Sequence, residues 1–175
     1  MTGPVRWRTR PEAAGDAAAV RAVVAAAFPT ALEADLVDAL RRDTAWVQGL
    51  AAVAVTPRGR VAGYALLTRC RVGGAAALAL APVAVLPAWQ RRGAGGAAVR
   101  AALAAARARA AGGGERLVVV LGHPAYYPRF GFVRASTLGI AAPFEVPDES
   151  LMALVLDGPG PVPSGTIEYP PPFGA

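Results

Sequence analysis

Residues 75–121 constrain the fold most, because two strand-like runs there flank one long helical pattern. Ala75 to Val85 is an apolar run of strand length, and Leu117 to Leu121 is a continuous apolar run typical of a sheet interior. Between them, an alanine-rich pattern reaches Ala111 and ends at a glycine triplet. A strand, a helix and a strand in this order predict two parallel strands joined by a crossover helix.

The turn that opens this helix has the composition of an anion-binding site. It reads Gln90-Arg91-Arg92-Gly93-Ala94-Gly95-Gly96. The first N–H groups of a helix lack intrahelical partners and lie at the positive end of the helix dipole. The three glycines allow positive φ and a close approach of the backbone to a phosphate, while the two arginines add positive charge. A glycine-rich turn is about as often a plain connection, so the loop alone leaves both interpretations open.

Two helices are predicted before this unit. The first follows Asp16, an N-cap residue, and stops at Pro29. The second begins at Thr30-Ala31-Leu32-Glu33, which has the form of a capping box. Its predicted apolar stripe consists of Leu32, Leu36, Val37 and Leu40.

Further strands are predicted on both sides of the central unit. Residues 49–56 and 60–71 form an antiparallel pair around the turn Pro57-Arg58-Gly59. Residues 151–156 and 166–169 are predicted to be later strands, and residues 170–175 are predicted to form a proline-rich, extended end. Pro82 lies inside the third strand and predicts a bulge or an unpaired edge position.

The length of 175 residues predicts a single domain spanning residues 1–175. The net charge is +6, and all 18 basic residues are arginines scattered along the chain, with no basic tail. Such scatter argues against a dedicated nucleic-acid binder. The lone Cys70 has no His or Cys beside it, so we predict a strand residue and no metal site.

No segment has the length and apolarity of a membrane span, and the N-terminus lacks the pattern of a secretory signal. The sequence therefore predicts no membrane partner, and a cytoplasmic location with a reduced thiol.

Two motifs in order resemble the GNAT superfamily of acyl-CoA-dependent N-acyltransferases. The first is the loop Gln90 to Gly96, which is similar to the family's pattern Gln/Arg-x-x-Gly-x-Gly/Ala. The resemblance implies that Gln90, Arg91 and Arg92 form the loop's entry and that Gly93, Ala94, Gly95 and Gly96 donate backbone N–H groups to the pyrophosphate of acetyl-CoA. It also implies that Val83, Ala84 and Val85 pair with the pantetheine arm where the sheet splays.

The second motif is Tyr127-Pro128-Arg129-Phe130-Gly131-Phe132, similar to the family's Tyr-x-x-x-Gly-Phe. The resemblance implies that the Tyr127 phenol is the general acid that protonates the departing thiolate. Tyr126 is the competing candidate. Without the resemblance, the interpretation of Tyr127 as a packed aromatic beside Phe130 and Phe132 is favoured over a catalytic role. Arg100, Arg107 and Arg109 on the long helix are predicted to be solvated, although one of them could meet the cofactor's 3′-phosphate.

The base that accepts the amine proton is left open by the sequence. Many GNAT relatives carry a glutamate on the strand before the phosphate loop, but residues 77–85 contain no acid. Glu33 ranks first as a substitute because the second helix of the family borders the acceptor cleft. Asp35 and His123 are further candidates, and the alternative is that the amine loses its proton to ordered water. The competing interpretations are a helix-capping carboxylate for Glu33 and a loop residue at a strand end for His123.

The resemblance implies an α/β fold of the α+β type, with a mixed, mostly antiparallel sheet splayed at the cofactor site and flanked by helices. It implies N-acetyl transfer from acetyl-CoA to an unidentified primary amine by direct attack in a ternary complex, without a metal. The alternative is a non-catalytic acyl-CoA sensor or interaction module on the same fold. A monomer and a homodimer are both consistent with the sequence.

Overall fold

The computed structural model describes residues 4–174, which form a mixed α/β fold with an open, mostly antiparallel sheet flanked by helices. Residues 1–3 and residue 175, the last of the expected proline-rich end, lie outside the described residues. The chain divides into two compact units, one of residues 4–67 and 81–105 and the other of residues 68–80 and 106–174. The single domain over residues 1–175 stays a prediction.

The first unit contains the two N-terminal helices and an antiparallel strand pair. Val20, Val23 and Val24 are buried because the i, i+3, i+4 spacing places them on one helix face. The first strand pairs with the next from Arg8 opposite Val55 to Pro11 opposite Ala52. The bounds are β1 (Arg8–Pro11), α1 (Ala17–Ala27), α2 (Leu32–Arg41) and β2 (Trp46–Val55).

Three elements have residues in both units: β3 (Val61–Val72), β4 (Ala75–Val85) and α3 (Ala94–Ala111). The predicted turn at residues 57–59 joins β2 to β3, with the Thr56 N–H donating to the Arg60 carbonyl at 2.8 Å. Gly73 and Gly74 join β3 to β4 with φ of 57° and 80°. A Cβ on Gly73 would lie 2.0 Å from the Ser164 carbonyl oxygen, so this turn requires glycine.

The second unit places the crossover's last strand beside β4. Leu78 and Ala79 of β4 pair in parallel with Val118 and Val119, which confirms the predicted parallel pair. The same strand pairs antiparallel with β8 from Leu117 opposite Val155 to Leu121 opposite Leu151. The remaining bounds are β5 (Leu117–Leu121), β6 (Val133–Arg134), β7 (Ile140–Ala141), β8 (Leu151–Val155) and β9 (Gly165–Glu168).

Cys70 lies in the apolar core of the second unit. It is buried in β3 among residues that include Val72, Ala77, Leu117 and Ile167. Burial, together with the negative charge of Glu115, raises the pKa of the Cys70 thiol to about 12. The interpretation of Cys70 as a strand residue is confirmed.

A buried polar network joins β1, α2 and β3 within the first unit. Glu12, which follows β1, is 8% exposed. Its carboxylate accepts a hydrogen bond from the Tyr64 hydroxyl at 2.9 Å and a charge-assisted one from Arg41. Burial and the neighbouring carboxylate raise the pKa of Tyr64. Arg41 also lies over the Trp46 ring, 5.2 Å from its centroid.

The predicted cap of α1 is correct in position and wrong in chemistry, and the predicted cap of α2 is wrong by one residue. Asp16 directly precedes α1, but its carboxylate pairs with Arg10 at 2.6 Å and accepts the Ala13 N–H at 2.7 Å. At the start of α2, the cap position is Ala31, which has no side-chain acceptor, so no capping box forms. The Thr30 hydroxyl instead accepts the Leu32 N–H at 3.3 Å.

Two other expectations are corrected. Leu32 is 72% exposed, because as the first residue of α2 it lies off the face that buries Ala34, Val37 and Leu40. Pro82 is buried in β4, which lies between β3 and β5 in the strand order, so the edge-strand alternative is wrong, while the bulge stays a prediction. The short strands β1, β6 and β7 were not predicted, and β6 and β7, with two residues each, are too short to show a periodic pattern.

Candidate active site

The glycine-rich loop forms the start of α3, as the sequence predicts. The helix begins at Ala94, and the Ala97 N–H donates to the Gly93 carbonyl at 3.0 Å. Gly93 is therefore the N-cap, and helix geometry leaves the N–H groups of Ala94, Gly95 and Gly96 without intrahelical acceptors. Gly93 has φ of 91°, and Arg91, with φ of 61°, is the only non-glycine residue of positive φ within residues 4–174. Free N–H groups on a left-handed turn suit a pyrophosphate.

Three contacts hold this loop in place. The Gln90 amide nitrogen donates to the Val85 carbonyl at 3.2 Å, joining the loop to the end of β4. The Trp7 indole N–H donates to the Arg92 carbonyl at 2.8 Å. A Cβ on Gly63 of β3 would lie 3.1 Å from the Ala94 carbonyl oxygen, so glycine there allows the helix start to approach the strand.

The sequence analysis did not identify Trp7 or Gly63 as residues that position the loop. Trp7 lies 85 residues from its hydrogen-bond partner, and no local pattern signals that contact. Gly63 sits inside an apolar strand, where an isolated glycine signals a close backbone approach without identifying the partner.

The end of β4 carries the three residues expected to meet pantetheine. Ala84 is buried, whereas Val83 and Val85 are half-buried. The parallel register with β5 covers Leu78 and Ala79, and β4 continues to Val85. Pairing of residues 83–85 with pantetheine stays a prediction.

Tyr127 begins a short 3-10 helix, Tyr127–Phe130, that ends at Gly131 with φ of 98°. A side chain is disfavoured at that φ, which accounts for glycine in the motif. The resemblance led us to expect a short helix ending in the motif; the structure places one turn of helix within it. Phe132 packs edge-on against the Tyr127 ring, with centroids 5.8 Å apart.

The Tyr127 phenol is largely buried and is protonated at neutral pH. Its side chain is 9% exposed. Burial, with a smaller effect of Tyr126, raises the pKa of Tyr127 to about 12. A protonated phenol can donate its proton to a bound group.

The competing Tyr126 has a different environment. It is half-buried, and the Arg129 guanidinium lies 4.3 Å from its ring centroid. Its ring meets that of Tyr127 edge-on at 5.1 Å. A Cβ on Gly122 would lie 2.5 Å from Cε2 of Tyr127, so the residue after β5 must be glycine for the Tyr127 ring to occupy this position.

The two candidate bases lie in different surroundings. Glu33 is half-buried on α2, and its Oε2 is fully buried without a hydrogen-bond partner in the described chain. Glu33 also lies in the first turn of α2, so its carboxylate is at the positive end of the helix dipole. His123 is exposed, and its backbone carbonyl accepts the Tyr126 N–H at 3.0 Å, as expected of a residue that shapes a turn. Neither assignment as a base is tested by these positions.

Among residues 4–174, no cluster of three metal-ligating side chains occurs. No helix in that part of the chain is both long and apolar enough to cross a membrane.

Comparison with known proteins gives consistent matches over most of the chain. The sequence model of the acetyltransferase (GNAT) family matches residues 18–132. The chain is 37% identical over 139 residues to the uncharacterized N-acetyltransferase YjhQ of Escherichia coli K12, a match that covers 77% of this chain and 74% of that protein.

Two similar solved structures contain CoA or acetyl-CoA. A GNAT family N-acetyltransferase of E. coli, YhbS, in complex with CoA superimposes with a TM-score of 0.85 and 26% identity, covering 100% of this chain and 96% of that one. A GNAT family acetyltransferase of Brucella melitensis in complex with acetyl-CoA superimposes with a TM-score of 0.75 and 33% identity, and the match covers 96% of this chain and 98% of that one.

Proposed function

The chain belongs to the GNAT family of acetyltransferases, which use acetyl-CoA, and we propose that it acetylates a primary amine by direct attack in a ternary complex. The donor supplies an acetyl thioester, whose carbonyl carbon accepts the amine lone pair and whose sulfur departs as a thiolate. The protein must then hold the pyrophosphate, protonate the sulfur and receive a proton from the amine.

The start of α3 holds the pyrophosphate in this proposal. The N–H groups of Ala94, Gly95 and Gly96 and the dipole of an 18-residue helix provide the donors. Gln90, Arg91, Arg92 and Gly93 form the approach to that helix. Val83, Ala84 and Val85 at the end of β4 hold the pantetheine arm through their backbone groups.

Tyr127 is the general acid. A general acid has to carry its proton at working pH, and the buried phenol, whose pKa is raised to about 12, does so. This phenol is the observation that supports the proposed chemistry most directly.

Glu33 is the proposed base, because a buried carboxylate oxygen without a partner is free to accept a proton. His123 is the second candidate, and its exposed imidazole could serve only through solvent or the acceptor itself. Replacing each in turn, Glu33→Gln and His123→Gln, distinguishes them. The true base shows the larger fall in kcat/KM and a changed acidic limb of the pH profile.

The deciding experiment combines acetyl-CoA binding by calorimetry with CoA release in the presence of a panel of amines. We expect Tyr127→Phe to bind acetyl-CoA like the wild type and to lose turnover by about 100-fold or more. Tyr126→Phe is the matched control, because it removes a neighbouring hydroxyl from the same turn, and it should retain turnover.

Each other outcome has a definite meaning. Full activity of Tyr127→Phe would remove Tyr127 from the mechanism. If the wild type binds acetyl-CoA but turns over with no amine, the alternative of a non-catalytic acyl-CoA sensor is correct. The amine acceptor, the choice between monomer and homodimer, and the cytoplasmic location stay predictions.

A further inference from the structure

The second unit contains an open pocket of about 610 Å³, within the range of about 300–1,000 Å³ that small-molecule sites occupy. Every residue that lines it lies between Ser136 and Leu151, in the connection from β6 to β8. Ile140 and Leu151 line the pocket and also belong to the apolar core of this unit. Core packing therefore holds part of the pocket wall in place.

The pocket adjoins the strand end from which the Tyr127 turn departs. Leu151, which lines the pocket, pairs with Leu121, the last residue of β5. The next residue, Gly122, donates its N–H to the Ser150 carbonyl at 2.9 Å and leaves room for the Tyr127 ring. The pocket and the proposed general acid are thus attached to the same end of β5.

The charge of this part of the chain is opposite to that of the rest. All 18 basic residues are arginines that precede residue 135. Residues 135–175 instead carry five carboxylates, those of Glu145, Asp148, Glu149, Asp157 and Glu168. Glu145 and Asp148 line the pocket. Asp148 pairs with Arg134 at 3.3 Å, whereas Glu145 is exposed and has no ion-pair partner among residues 4–174. An uncompensated carboxylate in a segment without basic residues favours a cation.

Phe144 gives the pocket an aromatic wall. It is 51% exposed, and its ring stacks on that of Tyr169 with centroids 6.1 Å apart. Tyr169 in turn contacts the Phe173 ring at 5.2 Å, so the Phe144 ring is supported from one side. Several other aromatic rings of the chain carry an arginine guanidinium, but in the described residues none lies over Phe144. A free aromatic face next to the Glu145 carboxylate offers the two groups that bind an organic ammonium ion.

We propose that this pocket selects the acceptor by charge, and that the acceptor is a diaminoalkane, an organic cation with two amino groups and no carboxylate. Glu145 and Phe144 hold one ammonium group. The other amino group, in its neutral form, bonds to the thioester carbonyl carbon as the carbon–sulfur bond breaks, and its surplus proton leaves as in the proposed function. The inference rests on the proposed acetylation of a primary amine and names the substrate class.

The same charges disfavour other amines. An acceptor with a carboxylate of its own would be repelled by Glu145 and by the acidic residues around it, so amino acids are rejected. A simple monoamine lacks the second ammonium group and gains neither contact in the pocket. The proposed specificity therefore comes from one attractive and one repulsive effect.

The test measures CoA release at low salt with three kinds of amine. These are the diaminoalkanes from 1,3-diaminopropane to 1,6-diaminohexane, the monoamines of the same carbon number, and lysine, which is 1,5-diaminopentane with an added carboxylate. The wild type should acetylate its best diamine with a kcat/KM about tenfold or more above those of the matching monoamine and lysine. An ion pair and a cation–π contact together contribute about that factor.

Glu145→Gln keeps the side-chain shape and removes the charge. We expect it to raise the KM for the diamine about tenfold and to remove the preference over the monoamine, while its affinity for acetyl-CoA stays that of the wild type. Phe144→Leu should weaken the preference in part. The matched control is Glu149→Gln, which removes the same charge from an exposed residue of the same segment outside the pocket lining and should keep the preference.

Three results would overturn the inference. One is a preference that persists in Glu145→Gln, and another is an equal loss of preference in Glu149→Gln, which would assign it to general charge. The third is a wild type that acetylates monoamines or lysine as efficiently as every diamine, in which case the proposed function still stands. If the wild type acetylates no amine at all, the proposed function and this inference are both wrong.

Discussion

Gly122 determines whether the Tyr127 ring can lie where the structure places it. A Cβ at position 122 would come within 2.5 Å of Cε2 and 3.1 Å of Cδ2 of that ring. We expect Gly122→Ala to displace the ring, to cost about 1–3 kcal/mol of the free energy of unfolding and to reduce turnover. Urea unfolding and CoA release measure the two effects.

Gly15→Ala is the control for that substitution. A Cβ on Gly15 meets nothing within 4 Å, and this glycine does not have a positive φ. The control should therefore change neither quantity. Wild-type stability and turnover in Gly122→Ala would show that the Tyr127 ring is not confined by residue 122.

The raised pKa of Tyr127 also predicts how the free energy of unfolding depends on pH. Its pKa is raised to about 12, as are those of Tyr169 and Cys70, so folding favours their protonated forms. Stability from these groups is fully present below their unfolded pKa values and is lost as pH rises towards about 12. Urea unfolding from pH 8 to 11 should show a decline, and the decline should be smaller in Tyr127→Phe. An unchanged slope in that variant would contradict the pKa shift.

At the scale of elements, the Glu12 carboxylate connects β1, α2 and β3 through its two partners. Arg41→Met leaves a buried carboxylate without its cation and should cost about 3 kcal/mol in unfolding free energy. Tyr64→Phe removes one neutral donor and should cost about 1–2 kcal/mol. Arg21→Met, which breaks exposed pairs with Asp35 and Asp38, should cost less than about 1 kcal/mol. Equal losses in all three variants would contradict this ranking.

Helices and strands with a long periodic or apolar run were predictable from the sequence, whereas contacts between residues distant in sequence were not. The bounds of β4 and β5 agree with the sequence prediction, because each is a continuous apolar run between segments that contain glycine, proline or charged residues. The start of α3 was equally clear from its glycines. The Trp7 contact with Arg92, the network around Glu12 and the short strands β6 and β7 depend on residues far apart in sequence, and no local pattern encodes them.

The candidate site was predictable to the same extent. The motifs located the loop and Tyr127, since each motif is contiguous. Gly63 leaves room for the start of α3, and Gly122 leaves room for the Tyr127 ring. The sequence does not show which residues these two glycines accommodate.

At the scale of the whole molecule, a net charge of +6 favours encounter with an anionic donor. We expect the association rate of acetyl-CoA, measured by stopped flow, to fall severalfold between about 0.02 and 0.5 M salt as screening increases. The dissociation rate should change less. A salt-independent association rate would show that net charge plays no part in the encounter.

The same charge permits a test of nucleic-acid binding. The arginines are scattered, so any retention on DNA should be weak and abolished at moderate salt. Tight retention that survives such salt would contradict the interpretation of this chain as a small-molecule enzyme.

The core position of Cys70 has a practical consequence for measuring the reaction. The chain has one cysteine, and at pH 8 almost none of it is thiolate, while the surrounding apolar core excludes reagents. The native protein should therefore be silent toward Ellman's reagent and react only after denaturation. Colour that develops during turnover would then count released CoA alone, one sulfur for each acetyl group transferred.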